Sequence, residues 1–296
     1  KSKDYLTKKY FNIVLNNINY KFKSVTREYI NKLIKKFKHH DYDLIEIHNR
    51  PIILEELARK IKSRYIMYFH NDPLSMKGSK TINQRLNIIS SVEKIIFVSE
   101  WTQKRFFMNL DNKLKTKTEV VYPSVNIKKK ISIKKNFITF IGKLNKSKGY
   151  DLFAKVVIRI LNEFPNWKAY SLGDEERREI YIKHKNHHEL GFLKHKDVLE
   201  HLENTSISVV PSRWEEPFGR TALEASSRGC ATIISNRGGL PETTNQALIL
   251  KNLNEETLYK QLRYLIKNTK IRKQIQKNSL KNIQHNIPSN TKIIDR

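Results

Sequence analysis

Glu216 and Glu224 stand eight positions apart in the run PSRWEEPFGRTALEASSRGCATIISNRGGLPE, Pro211 to Glu242. The sequence predicts a strand ending at Pro211-Ser212, a loop carrying Glu216-Pro217-Phe218-Gly219, and a helix beginning near Arg220. Backbone N–H groups at the start of such a helix, together with its dipole, favour an anion in front of the sheet. Gly219 removes the side chain that would keep a ligand away from that backbone. Two glutamates at this spacing arise about once by chance in a chain of this size. Set between strand, EPFG turn, helix, strand and GGLPE loop, they mark a candidate site.

A second cluster lies in FIGKLNKSKGYDLF, which ends at Phe153. A strand closes on Gly142, Lys143 follows, and Lys148-Gly149 leads into a helix. Two cations on one strand–helix loop can grip a diphosphate. Gly173-Asp174 and Gly191-Phe192 form further loops at the carboxyl ends of strands, where open α/β sheets bind ligands. Eight of the nine glycines fall between 142 and 239, so the second half is where backbone is expected to approach a small molecule.

The elements that must position these residues are legible as β-branched and aromatic runs. Expected strands are Asp43–His48, Tyr65–His70, Lys94–Ser99, Glu119–Pro123, Phe137–Gly142, Trp167–Gly173, His188–Leu193, Ile207–Ser212 and Ala231–Asn236. Helical patterns separate them: Val25, Tyr29, Leu33 and Phe37 repeat every four residues, and Tyr150–Phe164, Lys196–Asn204 and Glu255–Asn268 read as helices. From about Ile271 onward the chain reads as helical and polar. Near-continuous apolar strands alternating with helices imply parallel sheets covered on both faces. The Lys-rich run Ile127–Lys135 reads as a solvated linker, dividing the chain into domains 1–126 and 127–296. The polar opening KSKDYLTKKYF replaces the strand and glycine loop that start a doubly wound domain, so the first half reads as lacking its opening βα unit.

Composition sets the outer bounds. Lys+Arg 57 against Asp+Glu 29 leave a net charge of +28, spread over both halves rather than gathered in a tail. Such a charge invites a polyanionic partner. Even so, no Cys/His finger, stacking motif or helix-turn-helix pattern supports nucleic-acid binding. A single cysteine, Cys230, excludes an internal disulfide framework and suits a reducing compartment. No apolar run reaches the roughly 18 residues of a membrane span.

Taken together, these residues resemble the retaining glycosyltransferases of family 4, among the group 1 glycosyltransferases, which have the GT-B fold. Gly142-Lys143-Leu144 with Lys148-Gly149 match that family's G-R-L-x-x-x-K-G element. Glu216 and Glu224 match its E-x7-E element, and Gly238-Gly239-Leu240-Pro241-Glu242 match its GG-x-P-E loop. The likeness covers residues 40–285 and is strongest over 137–245. In the first half it is carried by IEIHNRP, FHND, FVSEWTQKRF and VVYPSVN. Three departures stand out: Lys143 replaces the usual Arg and loses its bidentate fork, Ala231 replaces a usual Pro, and the acceptor domain's opening glycine loop is absent.

The resemblance implies two doubly wound Rossmann-like domains facing a cleft, the first incomplete. It implies transfer of a sugar from a nucleoside-diphosphate sugar to a glycan or lipid-linked acceptor, in lipopolysaccharide or envelope polysaccharide assembly. Lys143 and Lys148 would then bind the diphosphate, Glu224 the ribose, and Glu216 the transferred sugar. Gly142, Phe218, Gly219 and Arg220 would line the donor site. His70 would lie beside the reacting centre, and His48, Asn49 and Arg50 on the acceptor side. No metal or other cofactor is expected, and the His39-His40 and His184, His187, His188 groups lack partner ligands at metal spacing. The expected location is cytoplasmic, with the Lys32, Lys35, Lys36 and Lys38 face of the first helix able to touch anionic lipid. Another GT-B enzyme, a phosphorylase or epimerase, remains open, as does a non-catalytic donor-binding protein; a basic nucleic-acid-binding protein is the remaining alternative.

Overall fold

The computed structural model describes residues 25–37, 42–128, 131–177 and 179–281. The polar opening, Lys38, His39-His40, Lys129-Lys130 and the chain after Lys281 lie outside the described residues. Two parallel sheets follow one another along the chain. The first contains β1 (Leu44–His48), β2 (Arg64–Phe69), β3 (Lys94–Phe97) and β4 (Thr118–Val120) in sequential order. It is accompanied by α1 (Val25–Phe37), α2 (Pro51–Lys60), α3 (Ile82–Ser91) and α4 (Glu100–Phe106). Ile45, Ile47, Met67, Phe69, Ile95 and Phe97 pack with Leu54, Leu57 and Phe106 into its core. The apolar face of α1 joins that core through Ile30, Leu33 and Ile34.

The second sheet contains β5 (Lys135–Ile141), β6 (Lys168–Leu172), β7 (His187–Gly191), β8 (Thr205–Val210), β9 (Ala231–Ser235) and β10 (Leu248–Leu250). Its helices are α5 (Tyr150–Glu163), α6 (His195–Asn204), α7 (Arg220–Ser227), α8 (Glu255–Lys267) and α9 (Thr269–Lys281). Every residue of β8 and β9 is buried, as expected of central strands covered on both faces. The spatial order is β10-β9-β8-β5-β6-β7. The chain therefore winds outward from β5 through β6 to β7, then returns to β8 and winds the other way. Between β5 and β8 the order reverses, and loops leaving the carboxyl ends of those two strands open a crevice. These are the loops that carry Gly142–Gly149 and Pro211–Gly219.

One expectation needs correction. The Ile127–Lys135 run is not a wholly solvated connection. Lys134 is half-buried, its ammonium donating to the carbonyls of Leu202 (2.9 Å) and Arg228 (2.6 Å), while Lys128 pairs with Glu203. Burial holds the Lys134 amine below its ordinary pKa. An ammonium that satisfies two carbonyls can be buried where an unpaired one cannot. The polar C-terminal stretch is helical as expected, as far as Lys281, and α9 buries Arg272, Gln276 and Ser279, with Arg272 donating to Leu265 and Ile266 carbonyls and stacking over Trp167.

Candidate active site

The loops after β5 and β8 are tied to each other before they reach any ligand. The Ser147 carbonyl accepts from the backbone N–H of both Arg213 and Trp214, each at 2.9 Å. Gly149, at φ +73°, lies so close to the second loop that a Cβ there would sit 1.9 Å from the Pro211 carbonyl oxygen. Asn145 accepts from the Lys148 N–H and shapes the turn that presents the lysine.

Lys148 points across this junction. Its Nζ lies 2.6 Å from Glu216 Oε1, which also accepts from Ser212 Oγ at 2.9 Å. An ammonium carries three N–H donors, so two remain for an anion. The backbone of Glu216 is fixed from behind by the GGLPE loop, where Gly239 N–H donates to the Glu216 carbonyl at 2.6 Å. Gly238 has φ +60°, and a Cβ there would meet that same carbonyl oxygen at 2.1 Å. The glycine pair is needed because the two loops pass in backbone contact.

The first turn of α7 closes the same space. Phe218 is buried against Val98, Val125 and Leu223, while Gly219, Arg220 and Thr221 face a cavity of about 580 Å³. That cavity is lined from the second sheet by Gly142, Lys148, Ser212 and Glu216, and from the first by Tyr68, His70, Asn71 and Tyr122. The structure thus gathers seven of the expected site residues around one space: His70, Gly142, Lys148, Glu216, Phe218, Gly219 and Arg220.

The remaining expected residues lie around it. Lys143 is exposed beside Gly142 and is not part of the lining. Glu224 is buried one turn into α7, below the lining, with His195 Nε2 at 3.0 Å and Arg220 Nη2 at 3.5 Å from its Oε1. His48 reaches the cavity only through His70, its Nδ1 lying 2.9 Å from His70 Nε2. Asn49 holds the turn after β2, its Oδ1 accepting from the N–H of His70 (2.8 Å) and Asn71 (3.2 Å). Arg50 turns instead to the Tyr29 ring, 5.3 Å from its centroid. Among the described residues no group of three His, Cys, Asp or Glu side chains is disposed to hold a metal ion.

Other residues at the site had no assigned part. Glu242, the last residue of the GGLPE run, accepts from the N–H of Glu100 (2.7 Å) and Trp101 (2.8 Å) at the start of α4. Ser99 Oγ donates to the Pro217 carbonyl at 2.5 Å. Burial first, then the charge of Glu242, raises the Tyr122 phenol far above its ordinary pKa. These contacts join the two sheets directly beside the cavity. Their partners lie more than a hundred positions apart, so no local spacing announces them. Asp72 of the FHND segment caps a short turn through Leu74 N–H and receives a two-point contact from Arg105 at 3.1 and 2.9 Å.

Residues 124–282 match the family model of the glycosyl transferases group 1. Spore coat protein SA of Bacillus subtilis is 25% identical over 240 residues, which are 69% of this chain and 63% of that protein. An uncharacterized 41.2 kDa protein in the cps region of Klebsiella pneumoniae is 24% identical over 242 residues, 73% of this chain and 66% of that one. The chain thus spans under two thirds of the length of these relatives. Among solved structures, HepE of Anabaena in complex with UDP and glucose superposes with a TM-score of 0.71 at 17% identity, covering 94% of this chain and 83% of that one. That likeness establishes the fold as GT-B, an α/β arrangement with parallel sheets.

Proposed function

Since the chain belongs to the group 1 glycosyl transferases, we propose that it is a retaining, family 4 enzyme moving a sugar from a nucleoside-diphosphate sugar to a glycan or lipid-linked acceptor. The observation that carries this reading is the convergence of Lys148, Glu216 and the first turn of α7 on one cavity, with His70 on its opposite wall. Breaking the sugar–diphosphate bond develops negative charge on the departing phosphate and positive charge at the anomeric carbon. Lys148 and the α7 amides meet the former as preorganised donors. Glu216, anchored by Lys148 and Ser212, faces the sugar. The departing phosphate takes the acceptor's proton on the same face, so no enzyme nucleophile of the glycosidase kind is needed. Lys143 adds charge at the mouth of the site, and Glu224 takes the ribose hydroxyls in place of its contact with His195. No metal or other cofactor enters this scheme.

The UDP and glucose bound by HepE support a diphosphonucleoside donor. A relative from a cps region and another named as a spore coat protein are in keeping with envelope polysaccharide or lipopolysaccharide assembly. We assign residues 1–126 to the acceptor side and 127–296 to the donor side. Work at the cytoplasmic face of a membrane fits this chemistry. Among the described residues no helix is long and apolar enough to cross one, and the apolar face of α1 is already buried. Contact with anionic lipid would therefore rest on lysines.

The test is a thermal-shift screen of UDP-, GDP- and ADP-sugars followed by product analysis. One donor class raises Tm by several degrees, as a ligand specific for the folded state must, and Glu224→Ala weakens that nucleotide about tenfold or more. Unchanged nucleotide affinity in Glu224→Ala overturns the reading. Sugar phosphate or an epimerised donor as product would instead identify a phosphorylase or epimerase.

A further inference from the structure

The carboxyl ends of β1 and β2 carry a chain of ionisable groups that the transfer scheme leaves unused. His48 and His70 are nearly coplanar, 8° apart with ring centroids at 5.2 Å, and His48 Nδ1 lies 2.9 Å from His70 Nε2. That centroid separation is what an in-plane, edge-to-edge contact between two imidazoles requires. On its far side, His48 Nε2 lies 3.6 Å from Glu46 Oε2. Tyr68 stacks on His48 at 4.3 Å and gives its hydroxyl to Glu46 at 3.2 Å. Asn49, held at φ +55°, fixes the backbone beneath His70.

We propose that Glu46 and His48 are positioning residues that set the tautomer of His70, making its Nδ1 a hydrogen-bond donor while the pair holds one extra proton and an acceptor once that proton is lost. The proton count follows from geometry. Two imidazoles sharing an N···N contact must place one hydrogen between them. The negative charge of Glu46, 3.6 Å from the facing Nε2 of His48, favours the tautomer in which that nitrogen keeps its hydrogen. In the neutral pair, His48 Nδ1 is then a lone pair, His70 donates from Nε2, and His70 Nδ1 is left as an acceptor. A proton taken from solvent settles on His48 beside Glu46. His48 Nδ1–H then donates to His70 Nε2, and the hydrogen of neutral His70 moves to Nδ1.

Other charges bear on this in known places. Tyr68 and Glu46 surround His48. Lys148, Glu216, Arg220 and Tyr122 line the cavity with His70. Arg50 is turned to Tyr29, and Asp72 is held by Arg105. Burial first, then the charge of His48, lowers the pKa of His70. The Glu46 carboxyl is held below its usual range, chiefly by the neighbouring His48. The catalytic consequence, a donor toward the departing phosphate or the sugar, rests on the function proposed above; the tautomer coupling does not.

The experiment is long-range ¹⁵N correlation spectroscopy of the full chain without nucleotide, titrated from about pH 5 to about pH 9, with His48→Gln and His70→Gln used for assignment. His70 is expected to pass from the Nδ1–H to the Nε2–H form at the same midpoint at which His48 loses its proton. Glu46→Gln is expected to move both midpoints down together by about one-half to one pH unit. In His48→Gln, His70 should titrate alone, in a single step still held low by its burial. A His70 tautomer that is constant with pH, separate midpoints, or midpoints unmoved by Glu46→Gln would each overturn the proposal. Because the readout needs no substrate, absence of nucleotide binding would count against the transferase reading alone.

Discussion

At the scale of single residues, the site rests on Lys148. Its side chain is a third exposed, with the ammonium bonded to Glu216 at the cavity, so its charge is available to an anion as a charge-assisted donor. Lys148→Ala should therefore lower affinity for UDP or GDP about ten- to a hundredfold, and leave the parent nucleoside within about twofold. Calorimetric titration of the two ligands side by side checks this, and equal losses would remove Lys148 from the phosphate site. His201 makes a separate prediction about stability. It packs against Tyr170 and Phe137 with Nε2 3.0 Å from Thr139 Oγ1, and burial pushes its pKa down to about 4. Folded His201 thus stays neutral, whereas the unfolded chain takes up the proton below about pH 6.5. Its contribution is present in full above that value and is lost progressively toward about pH 4, up to about 3 kcal/mol. Urea unfolding of wild type and His201→Gln at pH 7 and pH 5 should show a flatter pH dependence in the variant. An identical slope would assign the acid sensitivity elsewhere.

At the scale of elements, the decisive fact is that the loops after β5 and β8 touch backbone to backbone. Gly149→Ala would force a left-handed φ on a side chain and drive its Cβ into the Pro211 carbonyl. We expect a loss of at least about 2 kcal/mol in urea unfolding, together with weaker nucleotide binding as Lys148 is displaced; wild-type stability would show that the loops can part freely. Much of this arrangement was legible in the sequence. Most strands of both sheets were recognisable because buried parallel strands need β-branched, mostly apolar runs, and Ile207–Val210 and Ala231–Ile234, each carrying one buried hydroxyl (Ser208, Thr232), are such runs. The short β10 was not, since three residues with only Leu250 buried carry no periodicity. Lys134 was equally hidden: in a lysine-rich run, nothing local separates a lysine that satisfies two backbone carbonyls from an exposed one such as Lys135. Glu216 and Lys148 were identified by the loop each occupies, but the bond between them depends on the order reversal at β5 and β8. Glu242 was read as part of a motif, yet its partners on α4 lie outside any window that spacing can inspect.

At the scale of the whole molecule, Glu242 converts that motif into a tie between the two sheets. It satisfies two N–H groups at the start of α4, whose N-cap Ser99 reaches back to Pro217, while Phe218 packs with Tyr122. A polar contact of this kind has a fixed direction, unlike the apolar contacts of Val98, Val125 and Leu223 beside it. It therefore sets the angle at which His70 faces Lys148 and Glu216, besides holding the halves together. Glu242→Ala leaves two N–H groups without their acceptor and should lower Tm by about 2–5 °C. The more specific consequence is local: exchange of the Glu100 and Trp101 amides should quicken tenfold or more, while amides of β8 and β9 keep their protection. Hydrogen-exchange mass spectrometry over the peptide spanning 98–106 measures this directly. A variant whose α4 amides stay as protected as those of wild type would show that Ser99–Pro217 and the Tyr122–Phe218 contact fix the interface unaided, and that the angle between the halves is set by packing instead of by this carboxylate.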